Sequence, residues 1–178
     1  QGPKTIYGPA DATLIGQTSQ WNPEEYLNIW VVPLVSPYLG YATFPTSNLP
    51  GLNFTPNGAI RDGVTVDYQF FGTGAGAAAN TKGRTATHEV GHWMNLRHIW
   101  GDTTCGSDLV ADTPNHNAAN YGVPTYPHLS TCTGTPIEMT MNFMDYTDDR
   151  GIGVFDPQVA GVGSHTITYT WDNGLAAP

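Results

Sequence analysis

Basic residues are scarce in this sequence. Lysine and arginine together number six, against fifteen aspartate and glutamate residues, and the formal net charge is −9. Because nucleic acids and anionic membrane surfaces are bound through basic patches, neither is expected as a partner. The chain also lacks a run of about 18 apolar residues, which a membrane-spanning helix requires, so no membrane insertion is expected. The N-terminal residues lack the basic and apolar regions of a signal peptide.

Cysteine is equally scarce, with only Cys105 and Cys132. Neither lies in a close Cys-x-x-Cys pair, so a zinc site built on cysteine is not expected. In an oxidising compartment the two predict one disulfide. It would close a loop of about 28 residues and contribute roughly 3 kcal/mol to stability. The alternative is a pair of unpaired buried thiols.

Helix is also expected to be scarce. The 178 residues leave room for one domain with a sizeable core, and 21 glycines and 14 prolines predict that loops and short strands outweigh helix. Residues 1–20 show little periodicity and are expected to be extended or loop. Apolar, β-branched runs predict a buried strand at 27–35, a short strand at 39–44 and an alternating strand at 63–71. A helix is expected at about 85–95.

What the sequence does have is a concentration of histidine in this predicted helix. His88 and His92 are four residues apart, which places them on one helix face a turn apart, where they can share a metal ion. Glu89 follows the first of them, and its carboxylate can act as a general base toward a metal-bound water. An amphipathic helix with unliganded histidines is the alternative.

A third histidine, His98, does not fit the same helix. Six further residues would rotate it about 120° away from His92, so the helix must end between them. Asn95 lies at the expected break, and asparagine is the commonest non-glycine residue in the left-handed conformation that ends helices. The spacing therefore predicts two helical ligands, a sharp turn and a third ligand approaching from below. His116, His128 and His165 lack ligand spacing and are expected at the surface.

Residues 88–98 resemble the signature of the metzincin zinc peptidases, HExxHxxGxxH, with Asn95 where the signature has glycine. Met144, 46 residues beyond His98, and Tyr146 resemble the Met-turn and its tyrosine. With the segment at 105–114, these motifs are similar to the pappalysin family, in particular its cytophagalysin branch. The resemblance covers about residues 25–155.

The resemblance implies an α+β, metzincin-like zincin fold with a short mixed sheet, an active-site helix and a loop-rich C-terminal subdomain. Residues 1–152 would form the catalytic domain. Only 26 residues precede the strand at 27–35, where the family usually has a strand, a long helix and a second strand, so a domain shortened at its N-terminus is expected. Residues 153–178 would be a tail, with a strand at 164–171 resembling the end of a PKD-like repeat.

The resemblance also implies roles at the site. Zinc would be held by the three imidazoles, Tyr146 would hydrogen-bond the tetrahedral oxyanion, and Met144 would form a hydrophobic floor without ligating. Asp149 matches a position where an acidic residue in ulilysin-like members favours arginine or lysine after the scissile bond, although a solvated surface aspartate is equally compatible. The strand at 39–44 would be the sheet edge along which an extended substrate lies, or an ordinary edge strand.

A second, oxygen-rich loop follows the histidines. Hard cations take oxygen ligands, and the resemblance implies structural calcium here; an aspartate-rich turn capped by its own side chains is equally plausible. The candidate ligands are Asp108, the carbonyl of Val110, Asp112 and Thr113. The resemblance agrees with a disulfide between Cys105 and Cys132.

Together these features predict a secreted, extracellular zinc endopeptidase of bacterial origin that acts on proteins or peptides. If it is secreted, the sequence is expected to be a processed or trimmed form. The alternative is a truncated, weakly active or inactive zinc- or peptide-binding module of a secreted multidomain protein. A thermolysin-like site with Glu138 as third ligand is disfavoured, because His98 already supplies that ligand. The sequence gives no evidence on oligomeric state.

Overall fold

A three-stranded mixed sheet forms the centre of the computed structural model, which describes residues 5–46, 59–79 and 81–149. The strands are β1 (Ile29–Val32), β2 (Gly40–Ala42) and β3 (Val64–Asp67). β3 lies in the middle, with β1 parallel on one side and β2 antiparallel on the other. This agrees with the expected short mixed sheet, and it leaves β2 at an edge, as predicted.

All four side chains of β3 are buried, so the predicted alternation of this strand is wrong. A strand paired on both edges and covered on both faces buries polar side chains as well as apolar ones, and here these are Thr65 and Asp67. The strand also ends earlier than predicted. The Asp67 carboxylate accepts hydrogen bonds from the backbone amides of Leu34 and Gln69, and a 3-10 helix (Tyr68–Phe70) follows.

The prediction that the 27–35 strand is buried is also wrong. Ile29 and Val31 are each 42% exposed. Successive side chains of a strand point to opposite faces, so these two share one face of β1. β1 lies at a sheet edge, and the residues described by the structure do not cover this face.

Helix α1 (Ala12–Ser19) replaces the loop expected for residues 1–20. It buries Ile15 and Gly16, and Gly16 sits so close to the carbonyl of Ile60 that an added Cβ would overlap it. Arg61 reaches across to donate to the hydroxyl of Thr13 at 2.7 Å. This helix is therefore stabilised by distant packing, which a local sequence pattern does not reveal.

Helix α2 (Arg84–Trp93) packs against β2 and β3 and carries the histidines. It begins after Gly83, whose φ of 75° lies in the left-handed region. It ends just before Asn95, which also has φ of 75°, as the spacing predicted. No helix among the described residues is long and apolar enough to cross a membrane.

Residues 94–149 contain no helix or strand and only one isolated bridge, Leu129 with Ile137, in agreement with the expected loop-rich subdomain. The predicted disulfide between Cys105 and Cys132 is present. The predicted tail at 153–178, including its strand and His165, lies outside the described residues.

The surface position predicted for His116 is wrong, because this residue is 0% exposed. It lies in a buried polar cluster with Asn120, Glu138 and Asp145. Its Nε2 accepts the backbone N–H of Met139 at 2.8 Å, so its proton is on Nδ1. That atom faces the carboxylates of Glu138 at 3.7 Å and Asp145 at 3.6 Å. Burial of this kind depends on long-range contacts and has no local signature. His128 keeps a 43% exposed side chain.

Candidate metal centre

Three imidazoles converge beside the end of α2. His88 and His92 lie one turn apart on the helix, with ring centroids separated by 4.6 Å. After the helix the chain reverses at Asn95, and the amide of Leu96 donates back to the carbonyl of Gly91. This reversal brings His98 up to the other two, so that one candidate ligand atom of each ring lies within 4.8 Å of the others.

Each of these rings is oriented through its Nδ1 atom. His88 Nδ1 lies 2.7 Å from the carbonyl oxygen of Phe143, and His92 Nδ1 lies 2.8 Å from that of Leu96. His98 Nδ1 lies 2.5 Å from Oδ1 of Asp102. Because these oxygens only accept, each Nδ1 carries a proton, and in the neutral ring Nε2 then keeps its lone pair.

This donor set fits a zinc ion. The Nε2 atoms of His92 and His98 are only 3.1 Å apart, and two lone pairs at that distance repel each other unless a cation or donor lies between them. Burial lowers the pKa of His88 to about 4 and that of His92 to about 3, which favours the neutral form that a metal needs. Three neutral imidazoles with a fourth position open are a known zinc ligand set.

Glu89 lies beside the imidazoles and is only 6% exposed. Burial raises the pKa of its carboxyl to about 8. Its side chain packs on the backbone of Gly40 in β2, where an added Cβ would lie 2.8 Å from both Cγ and Oε1 of Glu89. The carboxyl thus occupies the junction between the helix and the sheet edge.

The segment around Met144 closes the site from the other side. The sulfur of Met144 packs on Gly91, where a Cβ would overlap it, and its carbonyl accepts the amide of Ile99 at 3.1 Å. Tyr146 follows, with its hydroxyl 2.9 Å from Nε2 of His98. Burial raises the pKa of this phenol to about 12, so it keeps its proton.

The imidazoles open into a cleft of about 760 Å³. One wall is the edge strand β2 with the residues just before it, and the opposite wall comes from the segment at 143–149. The aromatic ring of Tyr121, which is 72% exposed, lies 5.7 Å from that of Tyr146 at this wall. The cleft therefore runs next to the imidazoles between β2 and the segment at 143–149.

Asp149 lies in the cleft lining and also contacts the start of α2. Its Oδ2 accepts from the backbone amides of Lys82 and Arg84 and from the hydroxyl of Thr81, at 2.5, 3.2 and 3.2 Å. A carboxylate is favourable at the positive end of a helix dipole. This cap could not be read from the sequence, because 65 residues separate Asp149 from Arg84.

The oxygen-rich loop folds onto itself. The hydroxyl of Thr113 lies 2.7 Å from both carboxylate oxygens of Asp108 and 2.9 Å from the carbonyl oxygen of Val110. The amide of Val110 donates to Asp108 at 3.0 Å, while Asp112 is exposed. Three of the four candidate ligands are thus in mutual contact.

Two residues beside the imidazoles were missed at the level of sequence. Asp102 faces His98 four residues on, a spacing visible in the sequence but uninformative without the turn between them. Gly40 makes room for Glu89, and only the packing of β2 on α2 reveals this.

Comparisons with known proteins agree with this arrangement. The peptidase family described as pregnancy-associated plasma protein-A matches residues 13–159. The chain is 40% identical over 139 residues to an extracellular metalloprotease of Verticillium alfalfae, covering 75% of this chain and 47% of that protein. It is 36% identical over 130 residues to extracellular metalloprotease 1 of Coccidioides posadasii, covering 72% and 45%.

Among solved structures, the chain is similar to mature mirolysin of Tannerella forsythia in complex with a cleaved peptide. The two are 40% identical with a TM-score of 0.70, over 85% of this chain and 57% of mirolysin. This similarity confirms the predicted α+β fold of the metzincin type. The chain spans about half the length of the curated relatives it matches. Those relatives are fungal and do not support the expectation of a bacterial source.

Proposed function

The chain belongs to the pappalysin family of peptidases, the family described as pregnancy-associated plasma protein-A, and on this basis we propose that it is an extracellular zinc-dependent endopeptidase. The observation that carries the proposal is the convergence of three imidazoles, each hydrogen-bonded through Nδ1 and turned with Nε2 toward the others, beside a buried carboxylate at the head of an open cleft. The extracellular location rests on the names of the curated relatives.

His88, His92 and His98 would hold the zinc through their Nε2 atoms. Zinc bound in this way supplies an activated water and polarises the carbonyl of the bond to be cleaved. Burial keeps the rings of His88 and His92 neutral, and the Nδ1 hydrogen bonds fix the orientation of all three rings. The ligand set is therefore preorganised, and little ordering is required on metal binding.

Glu89 would be the general base. Its carboxylate would take a proton from the attacking water and deliver it to the nitrogen of the leaving amine. The support for this role is its position between the imidazoles and the edge strand, together with a burial that removes competing water. A buried carboxylate in this position can accept the proton and return it without losing it to bulk water.

Tyr146 and Met144 would complete the site. The Tyr146 hydroxyl, which lies 2.9 Å from Nε2 of His98, is protonated and can donate to the oxyanion of the tetrahedral state. Met144 would serve as the apolar floor, since its sulfur packs on Gly91 between the two helical ligands. It would position α2 relative to the metal by packing against it, without ligating the metal.

The substrate would be a protein or peptide bound in extended form along β2. Residues 39, 41 and 43 of this edge bond to β3, for example through Leu39 O with Asp67 N and Thr43 N with Gly63 O. The alternate backbone groups, those of Gly40 and Ala42, therefore face the cleft, where an added strand can pair with them. Mirolysin has been solved with a cleaved peptide.

We propose that Asp149 gives the enzyme a preference for substrates with arginine or lysine after the scissile bond. Its carboxylate lines the cleft, and a basic side chain there would meet a negative charge. Because Oδ2 already accepts from the start of α2, this attraction would be weaker than that of a fully free carboxylate.

Structural calcium is proposed for the loop of Asp108, Val110, Asp112 and Thr113, because its oxygens are close together. If calcium binds there, adding millimolar calcium to a chelator-treated sample should raise the melting temperature, and Asp108→Asn should remove the increase. An equal melting temperature with and without calcium in the wild type would contradict the site.

The function is tested with quenched fluorescent peptides that carry arginine, lysine or leucine after the scissile bond. We expect the wild type to cleave them, a zinc chelator to stop cleavage, and Glu89→Gln to lower kcat by at least about 10²-fold while keeping its zinc. Asp149→Asn should reduce the preference for arginine and lysine over leucine. Zinc binding at one per chain without any cleavage would contradict the enzyme and favour a zinc- or peptide-binding module.

A further inference from the structure

The imidazole of His98 differs from the other two in the group that accepts its Nδ1 hydrogen bond. His88 and His92 belong to α2 and donate from Nδ1 to backbone carbonyl oxygens. His98 lies beyond the end of the helix, and its Nδ1 donates to the side chain of Asp102, with Oδ1 2.5 Å away. The ring on the loop is therefore the one that is held by a charged group.

The chain between these two residues is shaped to bring the carboxylate back to the ring. The amide of Gly101 donates to the carbonyl of His98 at 2.8 Å, which closes a tight turn. Asp102 then adopts φ of 59°, in the left-handed region that few non-glycine residues adopt. A conformation of this kind persists only where surrounding contacts stabilise it.

Two neighbouring side chains support the same contact. Arg97 Nη2 lies 3.5 Å from Oδ2 of Asp102 and donates to the carbonyl of Gly101 at 3.3 Å, so both carboxylate oxygens are engaged. The indole of Trp100 stacks on the ring of His98, with an interplanar angle of 7° and centroids 4.3 Å apart. The hydrogen bond fixes the rotation of the ring, and the stacking limits its tilt.

We propose that Asp102 is a positioning residue for the metal: it fixes the tautomer and orientation of His98 so that Nε2 is presented to zinc, with Trp100 supporting the ring from one face. A carboxylate on the far nitrogen of a ligating imidazole makes the ring a stronger ligand. The two helical ligands do not need such a partner, because α2 already fixes their backbone. This inference rests on the proposed zinc site.

The test is the affinity for zinc, measured by competition with a chromophoric chelator for the wild type, Asp102→Ala and Asp102→Asn. The Asp102 side chain is 45% exposed, so neither change disturbs a core. We expect Asp102→Ala to bind zinc about 10–100-fold more weakly. Asp102→Asn can still accept the hydrogen bond but lacks the charge, and should fall between the two. The visible spectrum of the Co²⁺-substituted protein should change in the same order.

Glu25→Ala, which alters an exposed acidic residue in the turn before β1, is the matched control and should bind zinc like the wild type. If both Asp102 variants bind zinc within twofold of the wild type and give its Co²⁺ spectrum, the inference is overturned while the zinc site stands. If the wild type itself binds no zinc, the proposed function fails and this inference fails with it.

Discussion

At the scale of single residues, the position of the Glu89 carboxyl depends on Gly40, which has no side chain. Gly40 forms one wall of the space that Glu89 occupies, and any larger residue there would overlap Cγ and Oε1. The neighbouring Val66 of β3 is fully buried, so the strand has little freedom to withdraw. Glu89 would have to move instead.

We therefore predict that Gly40→Ala lowers kcat/KM for peptide cleavage by on the order of 10²-fold, because a displacement of about 1 Å in a catalytic group can cost that much. The zinc content should stay at the wild-type level, since the three atoms nearest to an added Cβ all belong to Glu89 and not to an imidazole. Gly74→Ala is the control, because a Cβ there meets nothing within 4 Å. Unchanged kinetics in Gly40→Ala would show that the packing of Glu89 on β2 has no bearing on catalysis.

The two histidines on α2 and the asparagine that ends it could be predicted because their positions follow from helix geometry alone. His88 and His92 recur with the period of the helix, and Asn95 is a residue that tolerates the left-handed turn observed there. Asp102 could not be predicted as a partner of His98, because the turn between them places it there. The roles of Glu89, Tyr146 and Asp149 remain predictions.

At the scale of elements, the loop-rich segment at 94–149 has a polar core in place of regular secondary structure. Asn120 Nδ2 donates to Glu138 at 2.8 Å and to Asp145 at 2.9 Å, and the amide of Asn117 donates to Glu138 at 2.6 Å. Asp145 Oδ1 also accepts the amides of Asn120 and Tyr146. The same carboxylate thus connects this core to the segment that carries Tyr146.

This cluster predicts a loss of stability in acid. Burial raises the pKa of Asp145 and Glu138, but hydrogen bonds from Asn117, Asn120 and the backbone together with His116 outweigh it, so both pKa values are lowered in the folded protein. The stability that these two carboxylates give the fold is therefore fully present at a pH above their ordinary pKa values of 3.8 and 4.5. It is lost as the pH falls through the lowered pKa values of the folded protein.

Urea unfolding of the zinc-free protein from pH 6 downward measures this effect. We expect Asp145→Asn to be less stable than the wild type at pH 6, with the difference between the two shrinking below about pH 4 as the wild-type carboxylate becomes protonated. A difference that stays constant down to pH 3 would show that the charge of Asp145 does not stabilise the fold.

Helix α1 and β1 show why elements are harder to predict than ligand spacing. α1 depends on the fit of Gly16 against the carbonyl of Ile60, which lies 44 residues away in the chain. The apolar run of β1 indicated a strand correctly but not its exposure, because burial depends on which residues cover each face. β3 was predicted to alternate buried and exposed side chains, but both of its faces are covered and all four of its side chains are buried.

At the scale of the whole molecule, the described residues form two layers. One is the sheet with its helices, and the other, the loop layer, is the segment at 94–149. The candidate metal centre lies where the two layers meet. α2 contributes two imidazoles and the carboxyl of Glu89 from one side. The loop layer contributes Met144 and Tyr146 from the other, and the disulfide between Cys105 and Cys132 ties its two halves together. His98 lies on the connection between the layers.

The general plan could be predicted because family motifs mark the contact between these layers. The segment at 88–98 and the pair Met144 and Tyr146 are each short and specific, and the fold they imply agrees with the similarity to mirolysin. What the sequence could not show is the polar interior of the loop layer, since a buried histidine such as His116 is indistinguishable in sequence from an exposed one.

The measurement that tests the account most directly is the zinc content of dialysed protein, determined by atomic absorption for the wild type and His98→Ala. Three convergent Nε2 atoms predict one zinc per chain in the wild type and loss of most of it in His98→Ala, with the circular dichroism spectrum of the fold retained. Zinc-free wild type, or full zinc retention in His98→Ala, would contradict the assignment of these three imidazoles as the metal site.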